Sequence, residues 1–188
     1  GTGSIQGDQF SAIEQKRNYS IYFLQMEVWL SRKLHLETGI ALNSTNYAAE
    51  DVFQTNSETQ NKDYTFGNVW SPRIGFSYKL GKGKNIYTSV SKGFSVPSVA
   101  ETLTPEGQIN TDLKPETGWN YEIGFKGNWF ENKLYTELTF FSTQIENLLV
   151  ARRTADDQYV GVNAGSSSHP GIEFLVNYKL VETLEFQI

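Results

Sequence analysis

Along most of this chain apolar and polar residues alternate with a period of two, the pattern of a strand whose two faces meet different surroundings. Residues 71–80 place Ile74, Phe76, Tyr78 and Leu80 on one face and Arg73, Gly75, Ser77 and Lys79 on the other. In residues 119–129, Tyr121, Ile123, Phe125 and Trp129 oppose Glu122, Gly124, Lys126 and Asn128. Leu34, Leu36, Ile40 and Leu42 likewise oppose His35, Glu37, Gly39 and Asn43, and Ile172, Phe174, Val176, Tyr178 and Leu180 oppose Glu173, Leu175, Asn177 and Lys179. Helical spacing is nowhere sustained. The pattern predicts eight strands, at 18–30, 34–47, 63–80, 84–94, 118–129, 134–150, 158–180 and 183–188.

The connections alternate between tight and long. Residues 31–33, 81–83, 130–133 and 181–182 are short and rich in Gly, Asn and charge, whereas 48–62, 95–117 and 151–157 are longer and polar. Short turns at one end and long loops at the other are the plan of an outer-membrane β-barrel. A turn at 165–170 would break this alternation, so 158–180 is expected to be one long strand, bulged near Pro170 and Gly171. The step from Trp119 to Trp129, at about 3.3 Å per residue and a tilt of about 40°, covers roughly 25 Å along the membrane normal, the height of such a barrel's apolar band. Those two Trp would then stand in opposite aromatic girdles.

Composition narrows the choice. Four Trp, ten Tyr and twelve Phe recur along the whole chain, as suits a membrane boundary. The longest apolar runs are a few residues, far short of the roughly 18 that a spanning helix needs, so a membrane would be crossed by strands. The chain has no Cys, which removes thiol chemistry and Cys-ligated metal. A net charge of -5 argues against nucleic-acid binding. His35 and His169 lack a second ligand at metal spacing, and no cofactor is expected. Ser168 and His169 are adjacent in a strand and so face opposite ways, which leaves no Ser, His and acid set for an enzyme. The glycines of residues 81–84, Gly-Lys-Gly-Lys, lack the spacing of a phosphate loop and mark a turn.

Four motifs carry a resemblance. Residues 91–98 read Ser-Lys-Gly-Phe-Ser-Val-Pro-Ser, residues 110–117 Asn-Thr-Asp-Leu-Lys-Pro-Glu-Thr before Trp119 and Glu122, residues 159–165 Tyr-Val-Gly-Val-Asn-Ala-Gly before Gly171 and Glu173, and residues 71–78 Ser-Pro-Arg-Ile-Gly-Phe-Ser-Tyr. In this order they resemble the barrel of TonB-dependent receptors, with Thr111 where that family commonly has Pro. The resemblance covers most of residues 18–188. It implies an all-β fold of antiparallel up-and-down strands, here about eight strands of a 22-stranded transmembrane barrel, with residues 1–188 a partial barrel domain whose plug and remaining strands lie outside this sequence. It further implies a non-enzymatic receptor in the bacterial outer membrane. That receptor would import a ferric siderophore or similar scarce nutrient, energised by the TonB-ExbB-ExbD complex acting through the absent plug.

On their own chemistry, Asp112, Lys114 and Glu116 read as a solvated turn, and Gly165 and Gly171 as backbone bends. Arg152 and Arg153, in a loop with Asp156 and Asp157, together with a lumen-facing Tyr159, are the candidate ligand contacts, since paired guanidiniums attract an anionic chelate. A solvated loop with its own counter-charges accounts for the same residues. The rival architecture is a soluble β-sandwich or small barrel that binds carbohydrate or protein. It requires the apolar faces to converge on one interior, whereas the barrel turns them out to lipid.

Overall fold

A computed structural model of the chain describes residues 13–51, 62–102, 104, 110–155, 157, 159–181 and 184–187. Among these residues ten strands follow in order: β1 (Ile13–Trp29), β2 (Leu34–Asp51), β3 (Lys62–Gly81), β4 (Lys84–Ser95), β5 (Glu116–Trp129), β6 (Leu134–Glu146), β7 (Leu149–Arg153), β8 (Tyr159–Asn163), β9 (Ser166–Val181) and β10 (Leu184–Gln187), with a helical turn, α1 (Val99–Thr102), between β4 and β5. Eight of them form one antiparallel sheet in the order β1-β2-β3-β4-β5-β6-β9-β10, and β7 and β8 pair separately. Each strand of the large sheet lies beside its neighbour in sequence apart from the step from β6 to β9, as in an up-and-down barrel wall.

The tight turns obey the backbone chemistry of their residues. Phe130, Glu131 and Asn132 all take positive φ (52°, 57° and 68°) between β5 and β6, and Gly83 does so (68°) between β3 and β4. Ser31 Oγ accepts from the Leu34 amide at 3.0 Å and so closes the β1-β2 turn. The turn expected at 181–182 lies partly outside the described residues.

Register settles which side chains share a face. Leu36 lies opposite Val28 and Phe76, Phe76 opposite Thr88, Thr88 opposite Ile123, Ile123 opposite Phe140, and Phe140 opposite Ile172. This apolar row is largely exposed, with Ile123 at 53% and Ile172 at 66%. Glu37, Gly75, Ser89, Glu122, Thr139 and Glu173 occupy the opposite face. Among the described residues the apolar side meets no second layer, the arrangement a membrane wall requires. The soluble alternative needs that side buried, and among the described residues it is exposed.

Two predicted strands are interrupted. Residues 134–150 divide into β6 and β7, and 158–180 into β8 and β9, because Asn147 (φ 56°) and Gly165 (φ 76°) turn the chain at one level of the ladder. Pairing continues through this corner, with the Ala164 amide donating to the Leu148 carbonyl at 2.8 Å, so β7-β8 is a bent extension of the β6-β9 pair. The bulge expected at Pro170 and Gly171 is not there. Both residues stay in register, opposite Ser142 and Phe141. Gly171 is required for another reason: a Cβ at that position would lie 2.3 Å from Cζ of Phe141, whose ring covers it.

One shift of register matters for the site. Between Asn43 and Thr45 on β2 the partner advances from Val69 to Phe66, three residues against two, so β3 carries a bulge at residues 67–68. The extra residue moves Phe66 and Tyr64 to the polar side, although simple alternation from Trp70 would place them on the outer face.

Candidate functional site: a loop assembly on the lumen side

The site forms at the long-loop end, on the polar face. Here Tyr47 of β2 and Phe66 of β3 pack edge to face, with ring centroids 5.3 Å apart, and Tyr64 meets Phe66 in the same manner at 4.9 Å. Between β4 and β5, residues near 97 and at 110–113 fold back over these rings. The Tyr47 hydroxyl donates to the Pro97 carbonyl and the Tyr64 hydroxyl to the Thr111 carbonyl, the latter at 2.8 Å. Tyr47, Phe66, Leu113 and Thr102 are thereby fully buried. The loop assembly thus has a small core of its own.

Local capping explains how the loop holds its shape. The Ser98 amide donates to Glu101 Oε2 at 2.7 Å, and Ser98 Oγ accepts from the Glu101 amide at 3.3 Å, a reciprocal box at the start of α1. Asn110 Oδ1 accepts from the Asp112 amide at 3.1 Å and forms an Asx turn.

The β7-β8 hairpin then locks onto this loop. Asn163 Oδ1 accepts from the Lys114 amide at 2.7 Å, while its Nδ2 donates to the carbonyls of Lys114 at 2.9 Å and Asn147 at 2.7 Å. Asn110 Nδ2 donates to the Gly161 carbonyl at 3.2 Å, and Glu116 Oε1 accepts from the Leu149 amide at 2.6 Å. Gly161 approaches α1 so closely that a Cβ would lie 2.6 Å from the Glu101 carbonyl oxygen. Glu116 is therefore no member of a solvated turn, as its sequence context suggests. It opens β5 and receives a backbone donor, while Asp112 and the Lys114 side chain remain exposed. The motifs at 110–117 and 159–165 are two halves of one clamp.

The three sequence-predicted contacts fall together on that hairpin. Arg153 lies opposite Tyr159 and Arg152 opposite Val160, so Arg153 and Tyr159 share a face and Arg152 points the other way. All three are exposed, and Arg153 forms an ion pair with Asp157. Sequence reasoning missed Arg17. This residue stands on the polar face of β1, opposite Tyr47, with its guanidinium 5.5 Å from the Tyr19 ring centroid and 5.9 Å from that of Tyr47. Among the described residues no acid forms an ion pair with it. Tyr19, Ile21 and Phe23 continue the same face of β1 as an exposed apolar strip. The signal in the sequence was parity alone: Arg17, Tyr19 and Tyr47 fall on the polar side once β1 and β2 are placed in register.

Lower in the lumen, Glu137 accepts from the hydroxyls of Tyr87 at 3.0 Å and Tyr135 at 2.7 Å and pairs with Lys126 at 3.0 Å. The Tyr87 ring lies on Gly124, where a Cβ would come within 2.4 Å of it. This network ties β4, β5 and β6 together and serves as a brace for the wall. Among the described residues no cluster of His, Cys, Asp or Glu could hold a metal ion.

The sequence pattern of the family described as TonB dependent receptor-like, β-barrel, matches residues 1–187. The chain belongs to the TonB-dependent receptor β-barrel family. It is therefore a β-barrel segment of the bacterial outer membrane, and its relatives are receptors and transporters rather than enzymes. It is 27% identical over 182 residues, 97% of its length, to the ferric-pyoverdine BN7/BN8 receptor of Pseudomonas putida, of which it spans 20%. It is 27% identical over 114 residues, 60% of its length, to the vitamin B12 transporter BtuB of Vibrio vulnificus, of which it spans 17%. Among solved structures, the pyoverdine outer membrane receptor FpvA of Pseudomonas aeruginosa PAO1 bound to pyoverdine superposes with a TM-score of 0.71 at 20% identity, over 96% of this chain and 25% of that one. That likeness shows the fold.

Proposed function

We propose that this chain is the wall segment of an outer-membrane importer for a ferric siderophore or similar scarce nutrient, and that residues 1–188 are part of a larger barrel whose plug and remaining strands lie elsewhere in the protein. The cargo would bind from the long-loop side. Energy would come from the TonB-ExbB-ExbD complex, acting through the plug. The observation that supports this reading is the lumen-side assembly: residues 110–115 and the β7-β8 hairpin clamp together over a polar wall that carries Arg17, beside an exposed hairpin that carries Arg152 and Arg153.

Arg17 is the best-organised of those cations. Its guanidinium rests against two tyrosine rings, one of them fixed by a buried hydrogen bond, so it loses little freedom on meeting an anion. Arg152, Arg153 and Tyr159 sit on an exposed hairpin, where Arg153 already has a counter-charge and where salt screens the attraction. A ligand with an anionic chelate group and an apolar portion suits Arg17 together with the Tyr19-Ile21-Phe23 strip. The relatives named for ferric-pyoverdine support a ferric chelate as the cargo, and those named for vitamin B12 keep a corrinoid as the competitor.

The test uses the intact receptor with ferric pyoverdine and cyanocobalamin as probes. Arg17→Ala should weaken binding of the anionic ferric chelate by roughly tenfold or more, the scale of one charge-assisted hydrogen bond, and Arg152→Ala with Arg153→Ala by less. Uptake, unlike binding, should vanish in cells that lack TonB. Unchanged affinity in Arg17→Ala would remove Arg17 from the site, and uptake that persists without TonB would overturn the importer reading.

A further inference from the structure

The wall forks between β3 and β4. Their ladder ends at Arg73 opposite Ser91, although β3 reaches back to Lys62 and β4 runs on to Ser95. Beyond that pair β3 stays bonded to β2, and β4 to β5. Pro72 stands at the fork and has no amide hydrogen to donate to a neighbour. The first described residues beyond β4 turn toward the lumen, where the Pro97 carbonyl accepts from Tyr47.

The outer base of the fork is a groove of about 490 Å³, a size typical of small-molecule sites at roughly 300–1,000 Å³. Met26, Ile40, Val90 and Trp119 form its sides, and the smaller Thr38 and Pro72 its floor. It crosses from β1 to β5, four interstrand steps, or roughly 19 Å at about 4.8 Å each. The one hydroxyl on the floor, that of Thr38, is satisfied by the Arg73 carbonyl at 3.1 Å. The other lining side chains on this face are apolar, and the groove opens on the face that meets hydrocarbon. Water is a poor occupant there, and a void would leave the lining without dispersion partners.

A cation marks one end. Lys92 lies one outward-facing position beyond Val90 toward the long-loop end and opposite Trp119, with its ammonium 5.9 Å from that ring centroid. Among the described residues no acid forms an ion pair with it. The long-loop end is the extracellular end of such barrels, so Lys92 belongs to the outer leaflet. We propose that this groove holds an acyl chain of a phosphate-bearing lipid of that leaflet, with Lys92 taking the phosphate. The proposal rests on the barrel assignment and is independent of the cargo.

Native mass spectrometry of the intact receptor in mild detergent tests it, with phosphatidylglycerol and a diacylglycerol of the same chains as probes. The unaltered receptor should retain one phosphatidylglycerol in preference to diacylglycerol by roughly tenfold. Lys92→Glu should abolish that preference, Val90→Phe should displace both lipids by filling the groove, and Lys82→Glu, in the turn at the opposite end, should change neither. Equal retention of the two lipids by the unaltered receptor, or phosphatidylglycerol retained as well by Lys92→Glu, would overturn the proposal. If Val90→Phe fails to assemble, the Lys92→Glu comparison decides alone. Cargo binding measured on the same samples separates this outcome from failure of the importer reading.

Discussion

In the wall, Leu24, Ile172 and Phe174 stand 72%, 66% and 62% exposed, whereas in the loop assembly Tyr47, Phe66 and Leu113 are at 0%, 1% and 2%. Both regions are built from the same kinds of side chain. The wall has no core of its own and takes its apolar contacts from lipid, so its stability depends on the bilayer around it. The loop assembly stands where lipid cannot reach and must make a core from a few aromatics, one Leu and satisfied backbone groups. One region is thus specified by alternation, the other by individual hydrogen bonds.

The sharpest way to break that contrast is to place a charge on each face of the wall. Ile123→Arg turns a guanidinium toward hydrocarbon and should cost about 2–4 kcal/mol near the bilayer midplane. Ser89→Arg, on the lumen face opposite Glu122, should cost far less. Unfolding of the intact receptor in lipid, followed by tryptophan fluorescence against denaturant, measures both. Comparable losses would mean that the faces have been assigned the wrong way round.

The loop assembly should respond to deletions that leave the wall unaffected. Leu113→Ala removes a buried side chain and should destabilise the loop by about 2–3 kcal/mol. Asn163→Ala leaves the Lys114 amide and two carbonyls without their partners and should cost about 1–3 kcal/mol. Since the hairpin and the 96–115 loop are held to each other by that one amide and a few further bonds, both variants should raise hydrogen exchange in 96–115 and 147–165 together, while β5 and β6 stay protected. Exchange that rises in only one of the two segments would show that they are not a unit.

How much of this was legible in the sequence follows the same division. Alternation placed the strands of the wall, and the parity of short and long connections excluded a turn at 165–170, because a closed wall leaves few choices of register. Alternation failed where one residue changed the count. The bulge at 67–68 moved Tyr64 and Phe66 inside, and positive φ at Asn147 and Gly165 split two strands whose composition looked continuous. The family motifs identified the receptor but concealed their own role: Glu116 and Asn163 looked like loop polarity, and only the fold brings each to a specific backbone group. Arg17 was missed because a lone Arg at a strand's start carries no signal until its neighbour across the ladder is known. Arg152, Arg153 and Tyr159 were singled out because a paired charge in a long loop is visible without any fold, and the fold places them on one exposed hairpin.

The smallest effect bears on the seam between the two regions. The Tyr47 ring belongs to β2 and its hydroxyl donates to Pro97 of the loop, so Tyr47→Phe keeps the packing against Phe66 and removes only the bond across the seam. The Pro97 carbonyl is left without its donor in a buried place, which should cost about 1–2 kcal/mol of loop stability and almost nothing in the wall. The same ring backs the guanidinium of Arg17, and Tyr47→Phe retains the aromatic face that the guanidinium meets. Affinity for ferric pyoverdine should therefore fall only as far as the loop loosens. Tyr47→Leu, which also removes that face, should fall further, toward the level of Arg17→Ala. Equal affinities in Tyr47→Phe and Tyr47→Leu would mean that the ring matters to the loop alone and that Arg17 is positioned by β1.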